Sequence, residues 1–222
     1  MELIGAILLA TKFIPDFGLK KGILFSLFHA VSAFCNAGFD IIGNSLVDYV
    51  DDITVNLVIA LLIIIGGLGF TVFIDIYRKK KFKNLTLHSK VVISISAILL
   101  LLGTFAYFLI ENNSGAMESL TLKGKILSSF FMSVSARTAG FNSIDIGKMQ
   151  ESSVIVTIIL MFIGASPAST GGGIKTTTFG VLLFSTISIL RGNDETEIFH
   201  KTISRDALLS LRTATLACLT SI

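Results

Sequence analysis

Two apolar stretches, residues 53–76 and 91–110, leave this chain few options. Each is about the 20 residues that a helix needs to cross a hydrocarbon core, so each is predicted to span a membrane. Between them lies Y-R-K-K-K-F-K-N-L-T-L-H-S-K, residues 77–90. A short basic loop beside a span stays on the cytoplasmic side, which assigns the orientation. Residues 40–52 and 111–125 are then extracellular, and residues 191–206 cytoplasmic. Asp75, beside the basic loop, is expected to pair with Arg78 or Lys79, three and four residues on. Composition agrees with a membrane reading. Hydrophobic residues make up 52% of the chain and charged ones 15%, where a soluble domain carries roughly a quarter charged. With a mean hydropathy of +0.82, the fold class is all-α integral membrane. The net charge of +3 matters less than its placement, and nucleic acid is not expected as a partner.

Two further apolar segments, 22–34 and 124–135, are too short to cross. Each precedes a glycine turn, which suits a re-entrant helix that enters the membrane and returns. Residues 3–14 make only half a span, and residues 206–222 turn apolar and stop, so the chain reads as a piece of a longer membrane protein. Cys35 and Cys218 lie in apolar surroundings far apart, and read as small buried hydrophobes rather than a disulfide. No metal-ligand spacing occurs among cysteines and histidines, and no basic n-region with a cleavage site marks a signal peptide.

The chain contains an internal repeat. F-H-A-V-S-A-F-C-N-A-G-F, from Phe28, aligns with F-F-M-S-V-S-A-R-T-A-G-F, from Phe130, at an offset of 102 residues. The same offset lays Gly66-Gly67-Leu68-Gly69 over Ala168-Ser169-Thr170-Gly171. The repeating unit is a spanning helix, a short re-entrant helix, a glycine turn and a second spanning helix with a glycine interruption. A third copy begins near Asp206.

Irregular backbone at membrane depth survives only where it is buried in protein or lines a water-filled cavity. An extended segment after a re-entrant helix presents carbonyls to such a cavity, and carbonyl oxygens can replace the hydration shell of an alkali cation. Glycine at 38 and 140 permits the dihedral angles this requires. A transporter of another kind with ordinary packing glycines fits the spacing equally well. A second feature, G-A-S-P-A-S-T-G-G-G-I-K-T-T-T from Gly164, superficially suggests a phosphate loop. Ile174 separates Gly173 from Lys175, and no strand or soluble sheet surrounds it, so the nucleotide reading is excluded. Small residues and Pro167 instead break a spanning helix midway.

S-A-F-C-N-A-G-F-D, S-A-R-T-A-G-F-N-S-I-D-I-G and the glycine-rich loop together resemble the membrane, ion-translocating subunit of the Ktr/Trk potassium uptake family. The Ktr branch, with one glycine per filter, is the nearer. The resemblance covers the whole chain. It implies helix–pore-loop–helix repeats of the potassium-channel-like type, four to a pore, with a broken second helix in the third repeat. The expected division is 1–77 as the second repeat, its first helix truncated, and 78–90 as a basic cytoplasmic linker. Residues 91–190 form the third repeat with an intramembrane loop at 164–178, 191–205 a second linker, and 206–222 the start of the fourth repeat.

The resemblance further implies that potassium passes a filter to which Cys35, Asn36, Ala37 and Gly38 contribute carbonyls, joined by Arg137, Thr138, Ala139 and Gly140. A gating loop lies below it, formed by Ala165, Ser166, Pro167, Ala168, Ser169 and Thr170, then Gly171, Gly172, Gly173, Ile174 and Lys175. The implied setting is the plasma membrane, multi-pass, with the filter side extracellular. Implied partners are the remaining pore repeats, a second copy in a homodimer, the bilayer, and a cytosolic RCK-type nucleotide-binding regulatory subunit. No cofactor is bound by the chain; the transported ion is K+, and members of this family often show sodium dependence.

Two repeats cannot complete a four-repeat filter, so the chain alone is expected not to conduct. The alternatives are a non-transporting scaffold or truncated subunit, and a pore made by two two-repeat chains. Arg137 is expected to point behind the filter to a carboxylate, of this chain or of a missing repeat, since a charge at that depth is normally paired. Lys175 reads equally as a cation opposing ion entry and as a lysine snorkelling to the interface. His29 reads as a packing or interfacial residue. No nucleophile–base pair suggests an enzyme.

Overall fold

The computed structural model describes residues 1–113, 115–190, 196–198 and 201–203. Its helices follow the apolar segments. Helix α1 (Glu2–Phe17) turns back through Gly18 into α2 (Leu19–Phe34). After an irregular crossing, α3 (Ile53–Leu68) begins at Asp52, whose carboxylate accepts the Thr54 and Val55 amides at 2.8 and 3.1 Å. Such a cap satisfies donors that the first turn leaves without partners. Lys12 of α1 pairs with the same carboxylate at 2.7 Å.

The expected single span over residues 53–76 is not one helix. It breaks at Gly69 (φ +84°), and α4 (Phe70–Lys79) leaves at 93° to α3. The broken second helix foreseen for one repeat therefore occurs in both. Helix α5 (Leu87–Glu111), with 25 residues, is the one helix among the described residues long and apolar enough to cross a membrane unaided. The bent α3–α4 pair qualifies as a second if counted as one span. Helix α6 (Leu122–Ser135) follows, then α7 (Glu151–Phe162) and α8 (Thr176–Leu190). Residues 191–205, expected as a linker, contain a short antiparallel ribbon, β1 (Thr196–Ile198) with β2 (Lys201–Ile203). The class is otherwise all-α. The expected start of a fourth repeat, 206–222, lies outside the described residues, as does Cys218.

Helix α6 separates two cores. Phe131 and Val134 join Leu9 and Phe13 of α1, Ala30 and Ala33 of α2, and Ile59 and Ile63 of α3. Met132 and Ala136 face the other way, to Ile95, Leu99 and Tyr107 of α5 and Leu160 of α7. Unlike those of a soluble protein, the apolar residues face outward as extensively as inward. Leu101, Leu102 and Phe105 of α5 and Ile155 and Ile158 of α7 are exposed, while Ser26, Ser128, Ser129 and Ser133 are buried. Apolar surface of that extent calls for lipid or protein cover. The buried hydroxyls bond to helix carbonyls, within a helix from Ser26 to Gly22 (2.7 Å) and between helices from Ser133 to Leu100 (2.9 Å). Small hydroxyl residues are the usual adhesive between helices in lipid.

Asp75 takes the i,i+4 option of its two expected partners. Its carboxylate pairs with Lys79 at 2.9 Å, and its other oxygen accepts the Thr86 amide and hydroxyl, both at 2.8 Å. This anchors α4 to the start of α5.

Candidate ion pathway

The two A-G-F segments are built alike and lie against each other. In the first, the Ala37 amide donates to Ser32 O (2.9 Å), and the Ser32 hydroxyl donates to Phe39 O (2.9 Å). In the second, the Ala139 amide donates to Ser135 O (3.0 Å), and the Ser135 hydroxyl to Phe141 O. A serine in the last turns of each short helix thus ties down the residue beyond the glycine. The first segment reaches from serine to phenylalanine with one residue more, so the offset is 103 in the helices and 102 in the A-G-F strands.

Positive φ angles repeat with the same spacing. Asn36 (+50°) matches Thr138 (+71°), and Gly38 (+67°) matches Gly140 (+88°). Alternate left-handed residues abolish the pleat that would point successive carbonyls to opposite sides. The glycines are also required by proximity. A Cβ on Gly38 would stand 2.5 Å from Ala139 O and 2.8 Å from Gly140 Cα. Among the described residues, no hydrogen bond is donated to any of the eight carbonyls of Cys35, Asn36, Ala37, Gly38, Arg137, Thr138, Ala139 and Gly140. Five of the eight residues, Asn36, Gly38, Arg137, Thr138 and Ala139, are buried or half-buried, where backbone carbonyls are nearly always satisfied.

At one end of these segments opens a cavity of about 520 Å³, lined by Gly38, Gly140, Asp40, Asn142 and Asp145 among others. Asp40 organises this end. It accepts from the amides of Ile42 (2.8 Å), Gly43 (2.7 Å) and Ser45 (2.9 Å), and from His29 Nε2 (2.9 Å). Burial pushes the Asp40 carboxyl up, but the bonds from His29 and the three amides outweigh it, and the carboxyl is held below its usual range. His29 is the buried packing residue foreseen, and more: its Nδ1 faces Phe25 O at 2.8 Å, an atom that can only accept.

At the other end lies the glycine-rich loop, residues 163–175, between α7 and α8. It is folded on itself by bonds from Ala165 N–H to Gly172 O (2.9 Å), Ile174 N–H to Phe162 O (2.9 Å) and Ser169 Oγ to Ser166 O (2.6 Å). Lys175 Nζ donates to Gly171 O at 2.8 Å and is half-buried, so its ammonium staples the loop. The loop also seals the α3–α4 break. Ser166 donates through both its amide (3.1 Å) and hydroxyl (2.5 Å) to Gly67 O, and the Thr170 amide donates to Gly66 O (3.3 Å). In return, the Phe70 amide donates to Ala168 O at 3.2 Å. Each broken helix satisfies groups that the other break exposes, as irregular backbone at membrane depth requires.

The loop touches both A-G-F segments. Asn36 Nδ2 donates to Thr170 Oγ1 (2.7 Å), Thr170 Oγ1 donates to Phe34 O (3.0 Å), and the Gly172 amide donates to Thr138 Oγ1 (2.9 Å). The sequence marked these residues for their carbonyls and missed their side chains. The interlock of Gly66 and Gly67 with Ser166 and Thr170 was equally unforeseen, although the aligned glycine interruptions were its trace.

One expectation is corrected. Cys35 is exposed, not buried, because it caps α2 at the edge of the segment rather than packing inside a helix bundle. Arg137 is buried, 7% exposed; no carboxylate pairs with it among the described residues, and its Nε has no hydrogen-bond partner there.

A profile of the TrkH cation transport proteins matches residues 6–211. The chain belongs to the TrkH family. As a TrkH-family chain it is a membrane protein. It is 46% identical over 204 residues to the Ktr system potassium uptake protein B of Bacillus subtilis, covering 91% of this chain and 46% of that protein. Identity to the potassium/sodium uptake protein NtpJ of Enterococcus hirae is 44%, over 94% of this chain and 46% of that one. The potassium transporter TrkH of Vibrio parahaemolyticus shares the fold, with a TM-score of 0.71 at 16% identity, covering 97% of this chain and 46% of that structure. The chain thus spans about half the length of the relatives it matches.

Proposed function

We propose that this chain supplies half of a potassium pathway, two of four filter segments and the gate beneath them. The observation that carries the reading is the eight carbonyls, four in each of two abutting segments with matched left-handed residues, that accept no hydrogen bond among the described residues. A dehydrating potassium ion offers such oxygens the partner they lack. The cavity at the Asp40 and Asp145 end is the extracellular entrance, where carboxylates raise the local cation concentration. The loop at 163–175 lies across the inner end and moves aside for conduction. Transport by this route needs no catalytic group, and the ion is cargo rather than cofactor.

The remaining two filter segments come from repeats outside this chain. Arg137 supports that reading: a buried guanidinium is costly without a partner, and a carboxylate from a missing repeat would supply one. The basic segment 77–90 faces the cytoplasm, where a nucleotide-binding regulatory subunit would act on a homodimer of complete pores, with sodium dependence as in many of the family's systems.

The test is potassium uptake by cells lacking their own systems, comparing this chain alone with the chain joined to its flanking repeats. Uptake is expected only from the joined form. No uptake by the joined form would end the reading, and uptake by the chain alone would replace it with a pore of two half-length chains.

A further inference from the structure

Asn36 and Thr138 occupy the same place in the two filter segments, and both hold a left-handed conformation that glycine adopts more easily. Threonine, being β-branched, is an outlier there. A side chain retained against that preference needs a task that glycine cannot perform. Both side chains reach the loop, and they grip it two residues apart: Asn36 at Thr170 (2.7 Å) and Thr138 at the Gly172 amide (2.9 Å). The Thr170 hydroxyl passes the first contact on to Phe34 O, at the end of the pore helix.

We propose that Asn36 and Thr138 are paired latches that make loop release and filter shape a single equilibrium. The loop cannot leave without freeing both left-handed residues, each of which itself carries one of the carbonyls that face the ion. Opening therefore loosens the filter, and ion discrimination falls as flux rises. The proposal rests on the ion-pathway reading above and assigns specificity to two side chains within it.

Thr138→Val keeps the shape and the β-branch but removes the acceptor, whereas Thr138→Ser keeps the acceptor. Both are compared with wild type in the full-length transporter in lipid, by amide hydrogen exchange at Gly172 and by the ratio of potassium to sodium flux. Loss of one such bond should raise Gly172 exchange by about two- to tenfold. Thr138→Val is expected to do so and to lower the flux ratio, and Thr138→Ser to match wild type in both. The proposal is overturned if Thr138→Val exchanges like wild type, if Thr138→Ser behaves like Thr138→Val, or if exchange rises at constant flux ratio. Absence of potassium flux from wild type would overturn the pore reading instead, and the exchange comparison would still decide whether the latch exists.

Discussion

Three glycines within four residues, at the end of α3, should respond to alanine with different signs. At Gly67 an added Cβ meets nothing nearer than the Ala165 Cβ at 3.8 Å, and φ is ordinary. Helix propensity alone then acts, and Gly67→Ala should be neutral or stabilise by up to about 1 kcal/mol. At Gly69 the new Cβ would stand 2.5 Å from Pro167 O, on a residue with φ +84°. The left-handed conformation costs about 1–2 kcal/mol. Pushing the loop away weakens the bond from Phe70 N–H to Ala168 O, adding about 1–3 kcal/mol if those groups stay buried unpaired. Gly69→Ala should therefore destabilise by roughly 2–5 kcal/mol. Gly66→Ala drives its Cβ into the Phe34 carbonyl, which is backbone and cannot swing aside, so it should be the worst of the three. Thermal unfolding in detergent, followed by far-ultraviolet circular dichroism, reads the series. At about 2–4 °C per kcal/mol for a chain of this size, the spread is easily resolved. Equal effects at Gly67 and Gly69 would refute the interlock between the two broken helices.

Deleting residues 166–172 from the full-length protein should raise potassium flux; unchanged or abolished flux in a folded deletion would count against a gate. Arg137→Gln should lower stability or uptake in the full-length protein, and a variant indistinguishable from wild type in both would remove the need for an external carboxylate. The carboxyl of Asp40 is held low, so its contribution to stability is complete above the ordinary carboxylate value of about 3.9 and is lost as pH falls through the lower folded value. The melting difference between wild type and Asp40→Asn should accordingly shrink below about pH 4; a difference constant down to pH 2 would contradict this.

Much of this architecture was legible because lipid forces backbone and side chains into few patterns. Helix α5 is visible as an uninterrupted apolar run, and α2 and α6 as short runs ending in A-G-F. The duplicated motif located Gly38 and Gly140, two of the positive-φ glycines. The 93° turn at Gly69 was not legible, since residues 57–70 are apolar on both sides of the break and a glycine within a helix pattern is usually tolerated. What decides the break is a loop about a hundred residues away whose donors reward it. The same limit hid Asn36 and Thr138, whose hydrogen-bond partners lie 134 and 34 residues off. Hydropathy also said nothing of whether Arg137 finds a carboxylate.

The interlock carries a consequence for how the chain is made. Gly67 and Ser166 are separated by 99 residues, which a ribosome needs roughly 5–20 s to synthesise. Throughout that wait the carbonyls of Gly66 and Gly67 have no loop to accept from. A nascent α3–α4 is expected to insert as one straight span, and to fold into its elbow only when the second repeat emerges. Crosslinking of Phe70 to lipid in chains halted before and after Ser166 would register the change. An elbow already present in the shorter chain would show that the first half bends by itself.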